Sequence, residues 1–334
     1  MNVGLWGRSL VTIQRVDKAT WERLDIVARW LIVARASVLV ITFISAAIAG
    51  LLAIRSGHFD PVLWGLSAVA LLAAHATNNL LNDLTDHLKG VDKNNYFRAI
   101  YGPHALEHGM LTVRGFLGYA AASGLVALAI GGYLVAVRGP LALALMAAGA
   151  FFVLFYTYPL KYIGLGEIAV VLVWGPLMIG GTYFIVTDLW DWDVVLVGIP
   201  YALGATSVIF GKHIDKLDDD RARGIHTLPV LVGERTARWI LGAMIVSMYA
   251  TVVYLVVSGF LTPVVLIVVL ALPRARTALA TFAKPRPTER PESWPKLAWP
   301  LYFVRLAFVH NRRFGLLLLV GLAGDVVLRA ILVR

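Results

Sequence analysis

Two short stretches carry the side chains able to do chemistry. In "NNLLNDLTDHLKGVD", residues 78–92, a helix continuing from the preceding apolar run puts His75, Asn79, Asn82 and Asp86 on one face, at steps of three or four. Asp92 follows one turn later, after Gly90. In "GKHIDKLDDDRARG", residues 211–224, Asp215 and Asp219 stand four apart beside Asp218 and Asp220. Carboxylates this crowded repel one another unless cations intervene, and hard divalent cations do so. Mg²⁺ takes one or two carboxylates, keeps several waters and is completed by substrate phosphates. Facing acidic clusters therefore suggest a diphosphate clamped through Mg²⁺, with Lys161, Lys212 and Arg98 close in topology to balance its charge. Either cluster alone reads as a solvated helix end, because Asn and Asp cap helices and form turns. Each closes an apolar run on the same expected side, and together they read as a site.

The elements that must position these residues are membrane spans. The 334-residue chain is 59% hydrophobic, and apolar runs of about 20 residues recur along it. Spans are expected near 30–54, 61–81, 115–137, 139–160, 165–187, 192–211, 237–258, 260–273 and 314–332. The fold class expected is an all-α polytopic bundle with nine transmembrane helices in a single domain, 30–334, preceded by an amphipathic interfacial segment, 1–29. That segment mixes charges with Trp6 and Trp21 and lacks the apolar core of a signal peptide.

The net charge of +10 raises nucleic acid as a partner, but its distribution points to topology instead. Most of the 30 Lys and Arg fall on the side of the amino terminus. Arg55, Arg138, Arg329 and Arg334 fall on the other, and Arg35 lies inside the first span. This is the positive-inside pattern. It predicts a cytoplasmic amino terminus, active-site loops at 82–114 and 212–236 on the same side, and the carboxyl terminus opposite, in the cell membrane. The third loop of that side, 274–313, is rich in proline and basic residues and reads as a surface linker. Cysteine is absent, so disulfides, thiolate metal sites and a cysteine nucleophile are excluded. No Walker loop, G-x-S-x-G or Rossmann glycine pattern occurs.

The motifs resemble those of the UbiA superfamily of intramembrane prenyltransferases, and more closely its MenA-like, dihydroxynaphthoate polyprenyltransferase branch. "NDLTDHLKGVD" matches the first motif through Asn82, Asp86 and Asp92, and "DKLDDDRARGIHTLPVLVG", 215–233, matches the second. Between them "FYTYPLKYIGLGEIAVVLVWGP", 155–176, is similar to the tyrosine–lysine segment. The resemblance implies Mg²⁺-dependent prenyl transfer from a polyprenyl diphosphate to an aromatic acceptor, on the route to menaquinone or a similar quinone. Asp86, Asp92, Asp215 and Asp219, with Asp220 close behind, would hold metal. Asn82, with Asn79, would orient a phosphate or metal-bound water. Lys161, Arg98 and Lys212 would neutralise diphosphate, and Tyr156 or Tyr158 would face the allylic cation. The chain departs from the family at Lys216, where the second motif usually has Asp, and in lacking R-P-x-x-S-G after the first motif. A terpene cyclase using the same ionisation is the alternative. A cation-coupled transporter is disfavoured by acids at the rim rather than at mid-membrane.

Overall fold

Lipid offers backbone groups no partner, so a spanning segment satisfies its own hydrogen bonds as a helix. The computed structural model describes residues 2–91 and 104–332, and these contain helices and connections but no strand. Three short helices come first: α1 (Val3–Val11), α2 (Lys18–Glu22) and α3 (Ile26–Val33). The bundle follows with α4 (Ala36–Arg55), α5 (Pro61–Leu88), α6 (Val113–Arg138), α7 (Pro140–Phe155), α8 (Gly166–Thr187) and α9 (Trp192–Asp215). It closes with two short helices, α10 (Leu217–Ala222) and α11 (Leu228–Val232), and then α12 (Glu234–Val257), α13 (Pro263–Phe282) and α14 (Phe303–Leu332). A helix stands at each expected span, and among the described residues 7 helices are long and apolar enough to cross a membrane. The exceptions are α5, which ends in the polar stretch, and the 16-residue α7.

The central helix is α9, packed on α8, α12 and α14. Its contact with α14 is close because two glycines leave room. A methyl group at Gly204 would clash with Asn311 Oδ1, and one at Gly211 would meet Val304 N at 2.9 Å. Around α9, Ile48, Tyr201, Met248, Val265 and Phe314 form one buried apolar core. In α8 the segment Val173–Gly180 widens into a π-helical turn. Pro176 explains it, since proline has no N–H to donate and its ring crowds the preceding turn.

The first expected span is broken. Arg35, between α3 and α4, is left-handed at φ 56°, a conformation that costs an L-residue with a Cβ about 1–2 kcal/mol. α5 holds the break from both sides. Asn79 Nδ2 donates to Ala34 O at 3.0 Å, while the Arg35 guanidinium donates to Asn79 O at 3.1 Å and Asp83 Oδ1 at 3.0 Å. The amino-terminal segment packs onto this region through Trp21, Leu24 and Ala28, against Leu80, Leu84 and Phe116. Asp25 ties α1 to α3, accepting from Ala28 N, Trp6 Nε1 and Asn2 N. Those donors, the Ala28 amide foremost, hold its carboxyl below the usual carboxylate range.

The 274–313 stretch differs from the expected linker. It is helical at both ends, because α13 runs on to Phe282 and α14 begins at Phe303 rather than near 314. Arg305, Arg312 and Arg313 made the first turns of α14 look too polar to belong to a span. The reason that they are helical lies in the site.

Candidate active site

A cavity of about 980 Å³ runs into the bundle between α4, α5, α6, α7, α8, α9 and the start of α14. Its deep walls are apolar, with Leu71, Leu145, Met146, Leu177 and Ile185 among them. Its polar end gathers Asn78, Asn82, Asp86, Lys161, Lys212, His213, Lys216, Asp220 and Arg305. One chamber therefore offers an apolar bed and a charged head site, separated along α5 and α9.

α5 supplies the first set, and its spacing behaves as a helix dictates. Asn78 Nδ2 donates to Val153 O at 3.1 Å, and Asn82 Nδ2 donates to Thr157 Oγ1 at 3.0 Å. One turn further, Lys161 Nζ reaches Asp86 Oδ1 at 2.9 Å and Oδ2 at 3.1 Å, and both side chains are buried. Lys161 is placed by the 3-10 turn Leu160–Ile163 that follows α7. Tyr156 lines the cavity beside it. Tyr158 does not belong to that lining: it is 51% exposed, and its ring receives Lys89 Nζ at 3.7 Å. Asn79 touches the cavity wall, but its amide is committed to the break at Ala34. Asp92 and Arg98 lie outside the described residues.

The second acidic cluster divides in a way its spacing did not reveal. Asp215 acts as a helix cap. Its buried carboxylate accepts from the backbone N–H of Tyr302 at 2.9 Å, Phe303 at 3.0 Å and Val304 at 3.1 Å, and Arg286 Nε lies 3.7 Å away. Orphan N–H groups at a helix start need an acceptor, and a buried carboxylate meets both that need and the helix dipole. Asp215 is thus why α14 starts at 303. Asp219 faces away from the cavity toward Arg223, 3.6 Å off, and Asp218 pairs with Arg221 at 3.3 Å on the surface. Only Asp220 of the four lines the cavity, where Lys216 Nζ stands 3.4 Å from its Oδ1. The register of four is therefore 216–220, with a lysine at its first position. Asp219→Asn and Tyr158→Phe should leave kcat/KM within about 2-fold of the parent, as surface changes of at most about 0.5 kcal/mol do. A loss above tenfold in either would return that residue to the site.

Several site residues were missed in sequence. Asp83 stands out of step with Asn82 and Asp86, yet it anchors Arg35, whose presence inside an apolar run was the available signal. Arg305 was hidden in the supposed linker. Glu167 and His213, paired at 2.6 Å between Oε1 and Nδ1, are 46 residues apart and nothing in sequence couples them.

Among the described residues no three Asp, Glu or His side chains converge as a ready-made metal cage. What faces the cavity is an oxygen donor set: Asp86, Asp220 and the Asn82 amide oxygen, left over once its nitrogen is spent on Thr157. This set fits a Mg²⁺ that shares its coordination with diphosphate and water, and does not fit a soft or nitrogen-preferring metal.

A membrane-embedded helical chamber with an apolar bed and a lysine–carboxylate head site defines a class: intramembrane enzymes that handle a long apolar chain bearing an anionic leaving group. Residues 43–308 match the model of the UbiA prenyltransferase family, and the chain belongs to that family. It is 30% identical over 194 residues to the UbiA prenyltransferase domain-containing protein 1 homolog of Drosophila melanogaster, a match covering 56% of this chain and 52% of that one. It is 25% identical over 291 residues to the 1,4-dihydroxy-2-naphthoate octaprenyltransferase of Bacillus subtilis, covering 86% and 90%. Its fold is similar to that of a UbiA homolog from Aeropyrum pernix K1, with TM-score 0.65, 19% identity and coverage of 85% and 97%. A UbiA homolog from Archaeoglobus fulgidus bound to GPP and Mg²⁺ superposes with TM-score 0.56 at 13% identity, covering 86% and 99%. The enzyme is a prenyltransferase, multi-pass in a membrane.

Proposed function

We propose that this enzyme transfers a prenyl group from a polyprenyl diphosphate to an aromatic acceptor, with dihydroxynaphthoate on a quinone pathway as the leading acceptor. The observation that carries the reading is the joining, in one cavity, of an apolar bed to a head site of Asp86, Lys161, Lys216 and Asp220. The Bacillus relative supports the acceptor, and the GPP and Mg²⁺ of the Archaeoglobus homolog support the donor and the metal. In this reading the active-site end is cytoplasmic, in the cell membrane.

The residues divide the work. Asp86 and Asp220 would hold Mg²⁺, with Asp92 as a further carboxylate, and Asn82 would orient a phosphate oxygen or a metal-bound water. Bound there, Mg²⁺ would supply Lewis acidity toward the diphosphate oxygens. Lys161 and Lys216, beside those carboxylates, would contact the diphosphate. Fixed cations matter most where the negative charge of the leaving group grows. Lys212 and Arg305 extend the positive rim, and Arg98 is a further diphosphate contact. The apolar walls keep water from the allylic cation, and Tyr156 offers its ring face to that cation.

Purified protein is incubated with Mg²⁺ and a polyprenyl diphosphate, with and without dihydroxynaphthoate. Diphosphate release that requires the aromatic, with a prenylated product, is expected. Release with a cyclised hydrocarbon and no acceptor would replace transfer by cyclisation. No release with any chain length would overturn both. EDTA should remove turnover, and restoring Mg²⁺ should return it.

A further inference from the structure

Prenyl transfer to a hydroxylated ring needs a place for a proton to go, and the head-site residues above are all committed to charge. We propose that His213 is the general base of this reaction and that Glu167 positions it. The inference rests on the transfer reading above and names the residue that activates the acceptor.

Glu167 lies in the first turn of α8 and His213 in the last turn of α9, and both are buried. Glu167 Oε1 stands 2.6 Å from His213 Nδ1, while its other oxygen lies 3.4 Å from the Leu228 N–H at the start of α11. A carboxylate oxygen accepts, so Nδ1 is the donor in this pair, and in a neutral ring the lone pair then sits on Nε2. His213 lines the cavity at the end of α9, and Lys216 and Asp220, beyond the end of that helix, line it too. Among the described residues Glu167 is the hydrogen-bond partner of His213. The same region holds the cation-facing ring: a methyl group at Gly166, next to Glu167, would lie 3.6 Å from Tyr156 Cε2. A buried carboxylate that sets the tautomer of an imidazole facing the reacting group is the arrangement that makes histidine an effective base.

The step balances as follows. The C1–O bond of the prenyl diphosphate breaks, and diphosphate leaves with its electron pair. The acceptor hydroxyl gives its proton to Nε2, its O–H electrons become a carbonyl π bond, and the ring carbon beside it forms the bond to C1. The resulting ketone tautomerises to the aromatic product. The imidazolium, stabilised by Glu167, returns its proton to water.

The test uses the full chain with Mg²⁺, geranyl diphosphate as donor, and naphthol acceptors of graded hydroxyl acidity, beginning with 1,4-dihydroxy-2-naphthoate. His213→Asn should lose about 100-fold or more in kcat with the least acidic acceptor. The loss should shrink as the acceptor acidifies, while KM for geranyl diphosphate stays within about 3-fold. Glu167→Gln should show the same acidity dependence, because its amide can donate to Nδ1 and turn the ring to the wrong tautomer. His213→Gln, with a melting curve for each variant, separates chemistry from misfolding. A loss equal across the acceptor series, a rise in KM for geranyl diphosphate that follows the fall in kcat, or a loss under about 3-fold would each overturn the assignment. Parent enzyme that transfers to no aromatic acceptor overturns the transfer reading itself, and is seen before any variant is made.

Discussion

Asp86→Asn should lose about a thousandfold or more in kcat, more than 4 kcal/mol of transition-state stabilisation. The substitution keeps the shape of the side chain and removes the charge that both Mg²⁺ and Lys161 require. Two effects act together. The metal loses a carboxylate from a set that already has only two facing the described cavity, and Lys161 loses the partner that holds its ammonium in place. Removing one member of a buried pair costs about 3–5 kcal/mol when the other is left charged and dry. Here the pair opens onto the cavity, so the fold should survive and turnover should not. The measurements are kcat, the Mg²⁺ dependence of geranyl diphosphate binding, and a melting curve. Binding of geranyl diphosphate in EDTA should change little, since Lys161 and Lys216 remain. Near-normal turnover in this variant would sink the metal assignment.

The second large effect is on stability. Asp215→Ala should cost roughly 3–5 kcal/mol, because three N–H groups at the start of α14, two of them in buried bonds, lose a carboxylate acceptor and each such bond is worth about 1.5–3 kcal/mol before relaxation. Arg286, 3.7 Å from that carboxylate, is left beside an apolar group. The expected result is a clear fall in melting temperature and a poorly ordered α14 start, which carries Arg305 into the cavity rim. Asp215→Asn retains one acceptor oxygen and should fall between. A metal ligand behaves in the opposite way: its loss leaves the apo-protein as stable as before, or more so, and abolishes Mg²⁺ binding. Unchanged melting with lost Mg²⁺ affinity would therefore return Asp215 to the metal.

These experiments separate what periodicity predicts from what packing decides. On α5 a helix converts spacing into a face, so residues 75, 79, 82 and 86 lie along the cavity, with Asn78 beside them and Asn79 spending its amide on Ala34. On the second cluster spacing misled, because α9 ends at Asp215 and a new helix starts at Leu217. The change of direction at Lys216 breaks the four-residue step from 215 to 219 and turns Asp220 inward in its place. No local signal marks that change, since Asp and Lys are at home in a helix end as much as in a site.

The sequence by itself determined the class of the molecule and one half of its site. Apolar runs of spanning length admit only helices, the surplus of Lys and Arg on one expected side predicts an orientation, and Asn82, Asp86 and Lys161 carry a family pattern along one helix and its neighbouring turn. Tertiary structure decided the other half. It turned Asp215 into the cap of α14, pinned the broken first span through Arg35 and Asp83, and joined Glu167 to His213 across two helices. The physical reason is range. Helical periodicity is a property of neighbours, whereas a cap, a buried ion pair or a carboxylate–imidazole pair forms between residues dozens of positions apart. Such partners meet only when close packing, here allowed by Gly204 and Gly211, brings their helices together.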